Sequence, residues 1–203
     1  PVEALARDGS LHLESWMSPD TQGTAYAVCY VKSPQPQRVA VRVGGSGALK
    51  VWVNRGAPVI DSEAYHGLTF EQAVGSAQLV AGWNRVLIKL SAADRPWAIA
   101  ARLTAPDGSP LPGPALVTSA TPPSPDWILP KAAAPTGPAP AGLERALRER
   151  LARVPLRDAA GRAQALVDLG TYLHHMQPGD QEKHEDETLL AEAMALRPSR
   201  RTA

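Results

Sequence analysis

The chain has 203 residues, room for one or two domains at roughly 100–200 residues each. Its formal net charge of +1 gives no basis for predicting a nucleic-acid or anionic-membrane partner. A single cysteine excludes an internal disulfide and a multi-cysteine zinc site. No apolar run reaches the ~18 residues of a membrane span. Because neither methionine nor an apolar signal segment opens the sequence, we expect a processed or excised piece whose compartment cannot be read directly.

Residues 10–104 have the pattern of an antiparallel β-domain. Residues 38–43 and 49–54 alternate with period two, as half-buried strands do. Further strand-like runs occupy residues 24–31, 85–90 and 97–103, and residues that favour turns lie between them. Short strands joined by short turns predict a sandwich or a barrel. We expect Trp52 and Trp83, which lie within predicted strands, to fill its core.

Residues 106–141 are rich in proline, with eleven of the chain's 20 prolines. Proline lacks an amide proton and fixes φ, so helix interiors and central strands are excluded there. We expect an extended, semi-rigid spacer between two domains. The apolar residues 127–129 interrupt this spacer and are expected to dock on a neighbouring domain. A proline-rich motif for a partner protein is the alternative.

Residues 142–203 have helical periodicity. One apolar stripe contains Leu143, Leu147 and Leu151, and two more run through residues 166–176 and 189–196. Pro155 ends the first of these helices, and the Pro-Gly pair at residues 178–179 ends the second. The sequence therefore predicts a C-terminal all-α segment.

Four segments of the strand region carry motifs that occur together elsewhere. Residues 50–56 match a strand and turn usually written K-V-W-x-N-G, with Arg55 inserted before the glycine, and residues 81–90 match a G-W-N-x-L-L-x-K strand. Residues 25–34 and 97–108 match the long early strand and the closing strand. In this order the segments resemble a galactose-binding-like domain. The resemblance implies an antiparallel, jelly-roll-like sandwich over residues 1–105.

The helical region resembles a tetratricopeptide-type repeat. Leu166, Leu169, Gly170 and Leu173 match its first helix, and Leu190, Ala193 and Pro198 match its second helix and stop. About three such units are needed for stability, so we expect more repeats beyond Ala203. Sandwich and repeats together resemble large bacterial envelope proteins. This resemblance alone implies a cell-envelope or extracytoplasmic location.

Several motifs that carry chemistry elsewhere do not fit here. The glycine-rich residues 44–50 precede a strand, whereas a phosphate loop precedes a helix. His174 and His175 are adjacent on a helix and point about 100° apart, so they are not expected to share a metal ion. We expect Cys29 to be a buried, unreactive thiol. No catalytic residue, cofactor or metal site is predicted.

The best ligand candidates are aromatic and polar residues near predicted turns. Sugars stack on aromatic rings beside polar partners. Tyr65 and His66 lie in a predicted loop, Asn54 and Arg55 in a turn, and Trp97 at a strand start. Ordinary loop or core packing is the alternative for each.

The predicted function is non-catalytic. We expect a recognition or scaffolding segment of a larger bacterial protein, which binds a protein or peptide partner through its helical repeats. Carbohydrate binding by the loops of the sandwich is the alternative, although a fold alone does not imply that function.

Overall fold

The computed structural model describes residues 9–13, 22–63, 65, 67–93, 97–111, 116–176 and 184–196. It divides into two compact units, Pro1–Ala141 and Gly142–Ala203. The described part of the first unit contains nine strands: β1 (Leu11–His12), β2 (Gly23–Ser33), β3 (Gln37–Gly45), β4 (Ala48–Val53), β5 (Ile60–Ser62), β6 (Ala73–Leu79), β7 (Gly82–Ala92), β8 (Ala98–Thr104) and β9 (Val117–Ser119).

The strands form two antiparallel sheets. One sheet has the order β1-β8-β3-β6, and we call it sheet A; the other, sheet B, has the order β5-β4-β7-β2-β9. The core lies between them and consists of valine, leucine and isoleucine from both inner faces. The predicted antiparallel sandwich with a C-terminal helical segment is confirmed at this level of detail.

Trp52 and Trp83 lie outside the core, so their predicted placement is wrong. In β4, Val51 and Val53 are buried and Trp52 between them is half-buried on the opposite face. In β7, Trp83 alternates in the same way with the buried Asn84. Since successive side chains of a strand point to opposite faces, a strand that buries its valines turns the neighbouring tryptophan outward.

The proline-rich segment predicted as a spacer belongs to the first compact unit. We call residues 116–141 the strap. Prolines donate no hydrogen bond, but their carbonyls accept: the Arg55 amide donates to Pro130 at 2.9 Å, and the Arg38 guanidinium donates to Pro138. Three further contacts join the strap to the sandwich: β9 pairs with β2 at Tyr30–Lys32, the Trp127 ring packs edge-on against Tyr30 with centroids 5.4 Å apart, and Ala133 forms a bridge with Gln78.

Of the apolar residues 127–129, Trp127 docks on the sandwich and Ile128 does not. The side chain of Ile128 is 82% exposed, whereas Leu129 is half-buried. The prediction that this triplet docks on a domain is therefore confirmed for Trp127 and wrong for Ile128.

The second unit contains three helices in the described residues: α1 (Leu143–Arg153), α2 (Ala159–Met176) and α3 (Glu185–Leu196). A Cβ at Gly170 of α2 would lie 2.9 Å from Cγ of Leu190, so the glycine lets the two helices approach closely. Arg162 pairs with Glu192 and His174 with Asp186, which makes α2 and α3 antiparallel. The predicted stop of α2 at residues 178–179 lies outside the described residues.

Candidate functional site

The edge strands on one side of the sandwich are short. β1 pairs with β8 only at Ala98 and Ile99, and β9 pairs with β2 only at Tyr30–Lys32. Over the rest of their length, β8 and β2 have no strand partner on this side among the residues that the structure describes. The inner faces of the two sheets are therefore less covered here than at the centre of the sandwich.

An apolar cavity of about 630 Å³ lies between the two sheets at this edge. Small residues of β2 and β8, Ala27 and Ala101, line it, so the inter-sheet space that larger side chains normally fill stays open. Its volume is within the ~300–1,000 Å³ typical of small-molecule sites. Its wall is completed by aliphatic residues of both sheets and the proline-rich segment: Leu11, Val28, Val31, Val41, Val86, Ile88, Ile99, Leu103, Leu111 and Leu116.

Cys29 lies in the wall of this cavity. Its side chain is half-buried rather than buried, and its Sγ donates to the carbonyl of Tyr30 at 3.6 Å. Burial raises the pKa of the Cys29 thiol. Since the thiolate is the nucleophile, we expect this thiol to react slowly at neutral pH. It is nevertheless a useful probe, because the chain has no other cysteine.

A charged cluster lies on the outer face of sheet A, centred on Arg42 of β3. The Arg42 side chain is 7% exposed; its Nε donates to Oγ1 of Thr104 at 2.9 Å and its Nη2 to the carbonyl of Ala141 at 3.1 Å. Its Nη1 donates to Glu71 at 3.3 Å, and the other carboxylate oxygen of Glu71 pairs with Arg102. Two guanidinium groups therefore share one carboxylate.

A second cavity, of about 390 Å³, lies against this cluster. It is lined by Arg42, Glu71 and Arg102, and by the exposed ring of Phe70. It shares Arg102, Ala101 and Gly9 with the inter-sheet cavity. Ala101 pairs with the buried Val43 and faces inward, so Arg102 beside it faces outward. The edge of β8 thus separates the apolar cavity from the charged one.

Asn54 and Trp97, two of the residues predicted to bind a ligand, are buried in the fold. Asn54 is 1% exposed and has a φ of +61°. Its Nδ2 donates to Oδ1 of Asn84 at 2.8 Å, and its Oδ1 accepts from the Arg85 amide at 3.0 Å. Trp97 is 0% exposed and belongs to the sandwich core.

Tyr65 and Arg55 are exposed, while His66 lies outside the described residues. The Tyr65 ring is 56% exposed. Both backbone polar groups of Arg55 bond to the strap: its amide to Pro130, and its carbonyl to the Ala132 amide. Four of the five candidates are described. Among them, Tyr65 makes no hydrogen bond or ring contact with Asn54, Arg55 or Trp97. The structure does not join the predicted set by direct contacts.

The inter-sheet cavity and the Arg42 cluster are not predicted by the sequence patterns described above. The sequence signal for the cavity is the run of small residues at alternate positions of β2, namely Ala25, Ala27 and Cys29, a pattern that also fits an ordinary strand. The signal for the cluster is Arg42 itself, a charged residue in the middle of a strand of buried valines. Partners such as Glu71 and Ala141 are distant along the chain, and nothing local indicates them.

In the helical unit, His174 contacts a carboxylate. Its Nδ1 lies 2.9 Å from Oδ2 of the buried Asp186. The imidazole hydrogen bond holds the pKa of Asp186 below its usual range. Within the described residues, no group of three or more histidine, cysteine, aspartate and glutamate side chains is placed to hold a metal ion. His174 is therefore best described as a hydrogen-bond partner of α3.

We expect this contact to make the helical unit sensitive to acid. A lowered pKa means that folding favours the ionised carboxylate, so the stabilisation is present near neutral pH and is lost as pH falls below about 4. In Asp186→Asn, the free energy of unfolding should fall less than in wild type as the pH is lowered through about 4. Urea unfolding followed by far-ultraviolet circular dichroism measures this free energy at each pH. Glu187→Gln, which neutralises an exposed neighbour, is the control. The assignment would be contradicted if the free energy of unfolding fell equally with pH in wild type and in Asp186→Asn.

Comparison with models of known protein families, with curated proteins and with solved structures finds no match for this chain. Among the helices of the described residues, none is long and apolar enough to cross a membrane.

Proposed function

We propose that this chain is a non-catalytic recognition segment whose sandwich binds an apolar small molecule between its sheets. The observation that supports this function is the apolar cavity of about 630 Å³ at the edge of β2 and β8. Sandwich interiors are normally packed to the density of organic crystals, so an unfilled space of this size is unusual. An apolar ligand in it would bury the side chains that the short edge strands leave uncovered.

The chemistry of the wall selects an apolar ligand. Among its described residues, only Cys29, Arg102 and Thr118 have polar side-chain groups, and the rest are aliphatic or glycine. A polyhydroxylated ligand would lose hydrogen bonds to water there and regain few. The carbohydrate alternative therefore finds less support in this cavity than binding of an apolar molecule does.

Binding can be tested with a neutral apolar fluorophore, N-phenylnaphthylamine, and the intact chain. We expect saturable fluorescence enhancement and slower alkylation of Cys29 by iodoacetamide when the probe is bound, followed by mass spectrometry. Ala27→Phe and Ala101→Phe place a ring in the cavity from opposite sheets, and each is expected to weaken binding at least tenfold.

The control is Ala81→Phe, which makes the same change at an exposed residue before β7, outside the cavity wall. It should bind like wild type. A folded wild-type chain that shows no saturation, and whose Cys29 reacts equally fast with and without the probe, would refute the proposed function.

A protein or peptide partner of the helical unit is the second candidate. The exposed apolar side chains that such a partner could contact in this unit include Leu156, which is 83% exposed, and Met194, which is 77% exposed. We further propose that α2 and α3 form one tetratricopeptide-type unit, supported by their close antiparallel packing at Gly170. For the sandwich we propose a galactose-binding-like relationship, supported by its two antiparallel sheets.

A further inference from the structure

We infer that the ligand of the inter-sheet cavity is an anionic amphiphile with one aliphatic chain, whose head group binds Arg102. The inference rests on the proposed function and adds the ligand class. It is carried by the juxtaposition of two features: an aliphatic cavity on one side of the β8 edge and the exposed guanidinium of Arg102 on the other. Arg102, Ala101 and Gly9 line both the inter-sheet cavity and the charged one.

The tail of the ligand is assigned from the cavity wall. The described lining residues include no aromatic ring, so the described part of the wall holds an apolar ligand by contact area and not by ring stacking. Aliphatic side chains from β2, β7 and β8 make up most of the wall instead, among them Ile88, Ile99 and Leu103. Such a surface attracts a ligand in proportion to the apolar area buried, which favours a hydrocarbon chain.

The head group is assigned from charge. Arg42 and Arg102 both pair with the carboxylate of Glu71, and the Asp107 carboxylate also interacts electrostatically with Arg42. Arg42 is buried, and each of its three nitrogens has a partner within the fold. Arg102 is 57% exposed and contacts Glu71 through one terminal nitrogen, Nη2. A guanidinium group has five N–H donors, so Arg102 can keep Glu71 and bind a second anion.

The position of Arg102 connects head and tail. Its backbone belongs to β8, whose inward residues Ala101 and Leu103 line the apolar cavity. Its side chain lines the charged cavity beside Phe70. A ligand with its chain between the sheets would therefore pass the edge of β8 and meet Arg102 where it emerges. Carboxylate and phosphate heads share the chemistry that this guanidinium recognises.

The test is a calorimetric titration of the intact chain with octanoate, decanoate and dodecanoate below the concentrations at which they form micelles. Each added methylene that becomes buried should tighten binding about fourfold, or roughly 15-fold for each step of the series. Bound decanoate should also slow the alkylation of Cys29. Decyl phosphate tests the other head group: if it binds more tightly than decanoate, the source of the ligand is a phosphate amphiphile, and if less tightly, a carboxylate one.

The charge assignment is tested with Arg102→Gln and with uncharged or cationic ligands. Arg102→Gln should weaken decanoate binding about tenfold, the usual size of a lost charged hydrogen bond, and leave decanol binding unchanged. Wild type should bind decanoate more tightly than decanol, and decanol more tightly than decyltrimethylammonium. Lys89→Gln, which removes a positive charge from β7 outside both cavities, should behave like wild type.

The outcomes separate this inference from the function on which it rests. If decanol and decyltrimethylammonium bind as tightly as decanoate, and Arg102→Gln changes nothing, the anionic head is refuted while apolar binding stands. If octanoate, decanoate and dodecanoate bind with equal affinity, and Ala27→Phe leaves decanoate binding unchanged, the carboxylate binds only as an ion at the surface. The amphiphile is then refuted. If no ligand binds or protects Cys29, both the inference and the proposed function fail.

Discussion

Replacing Trp97 by alanine is expected to lower the free energy of unfolding of the sandwich by about 3–5 kcal/mol, the usual cost of deleting a large buried aromatic side chain. The ring is completely buried in the core and lies against Gly23, where an added Cβ would come within 3.1 Å of it. Neighbouring strands cannot close a space of this size without backbone shifts. Urea unfolding followed by circular dichroism measures the loss.

Two further substitutions make the Trp97 experiment specific. Trp97→Phe should cost much less, because it keeps most of the ring and removes an Nε1 that has no hydrogen-bond partner among the described residues. Trp83→Ala should also cost less, since that side chain is half-buried on an outer face. A loss below about 1 kcal/mol for Trp97→Ala would show that the ring is not a core residue and would return it to the ligand candidates.

Asn84→Ala is expected to destabilise the sandwich by about 3 kcal/mol, because one buried side chain satisfies several polar groups. Its Oδ1 accepts from the Val80 amide at 2.9 Å and from Nδ2 of Asn54 at 2.8 Å. Its Nδ2 donates to the carbonyls of Val80 and Gly82, both at 3.0 Å. Alanine would leave these groups buried without partners, in the turns that lead into and out of the sheets.

The control for Asn84 is Thr24→Ala, which removes an exposed hydroxyl bonded to Ser91 on the same pair of strands. We expect a change within about 0.5 kcal/mol, as for most surface substitutions. Asn84→Asp separates shape from hydrogen bonding: it retains the volume but loses the donors and adds a buried charge, so it should destabilise as much as alanine. Full stability of Asn84→Asp would contradict the network.

The asparagine network also explains the motifs of the strand region. Asn54 and Asn84 are the asparagines of the two strand motifs, and the structure joins them by a hydrogen bond. Asn54 has left-handed backbone geometry, which asparagine tolerates better than most residues. We therefore interpret these asparagines as structural residues that hold two turns together, and Asn54 contributes its side chain to the fold rather than to an exposed site.

The sequence by itself determined the kinds of elements and their order along the chain. Period-two alternation in β4 and β7 predicts strands because each strand has one buried face, and the apolar stripe of α2 predicts a helix for the corresponding reason. The proline content of residues 106–141 predicts neither helices nor central strands, and the described residues of this range contain only the short edge strand β9. These are local properties, set within a few residues of each position.

Only the tertiary structure decided what those elements contact. The strap lies on the sandwich because its carbonyls accept hydrogen bonds from Arg55 and Arg38, which are far away in sequence. The cavity exists because alanines of β2 and β8 lie at the edge where β1 and β9 are short. Strand pairing and side-chain packing bring together residues tens of positions apart. Neither composition nor spacing encodes that proximity, so only the three-dimensional structure brings the residues of the site together.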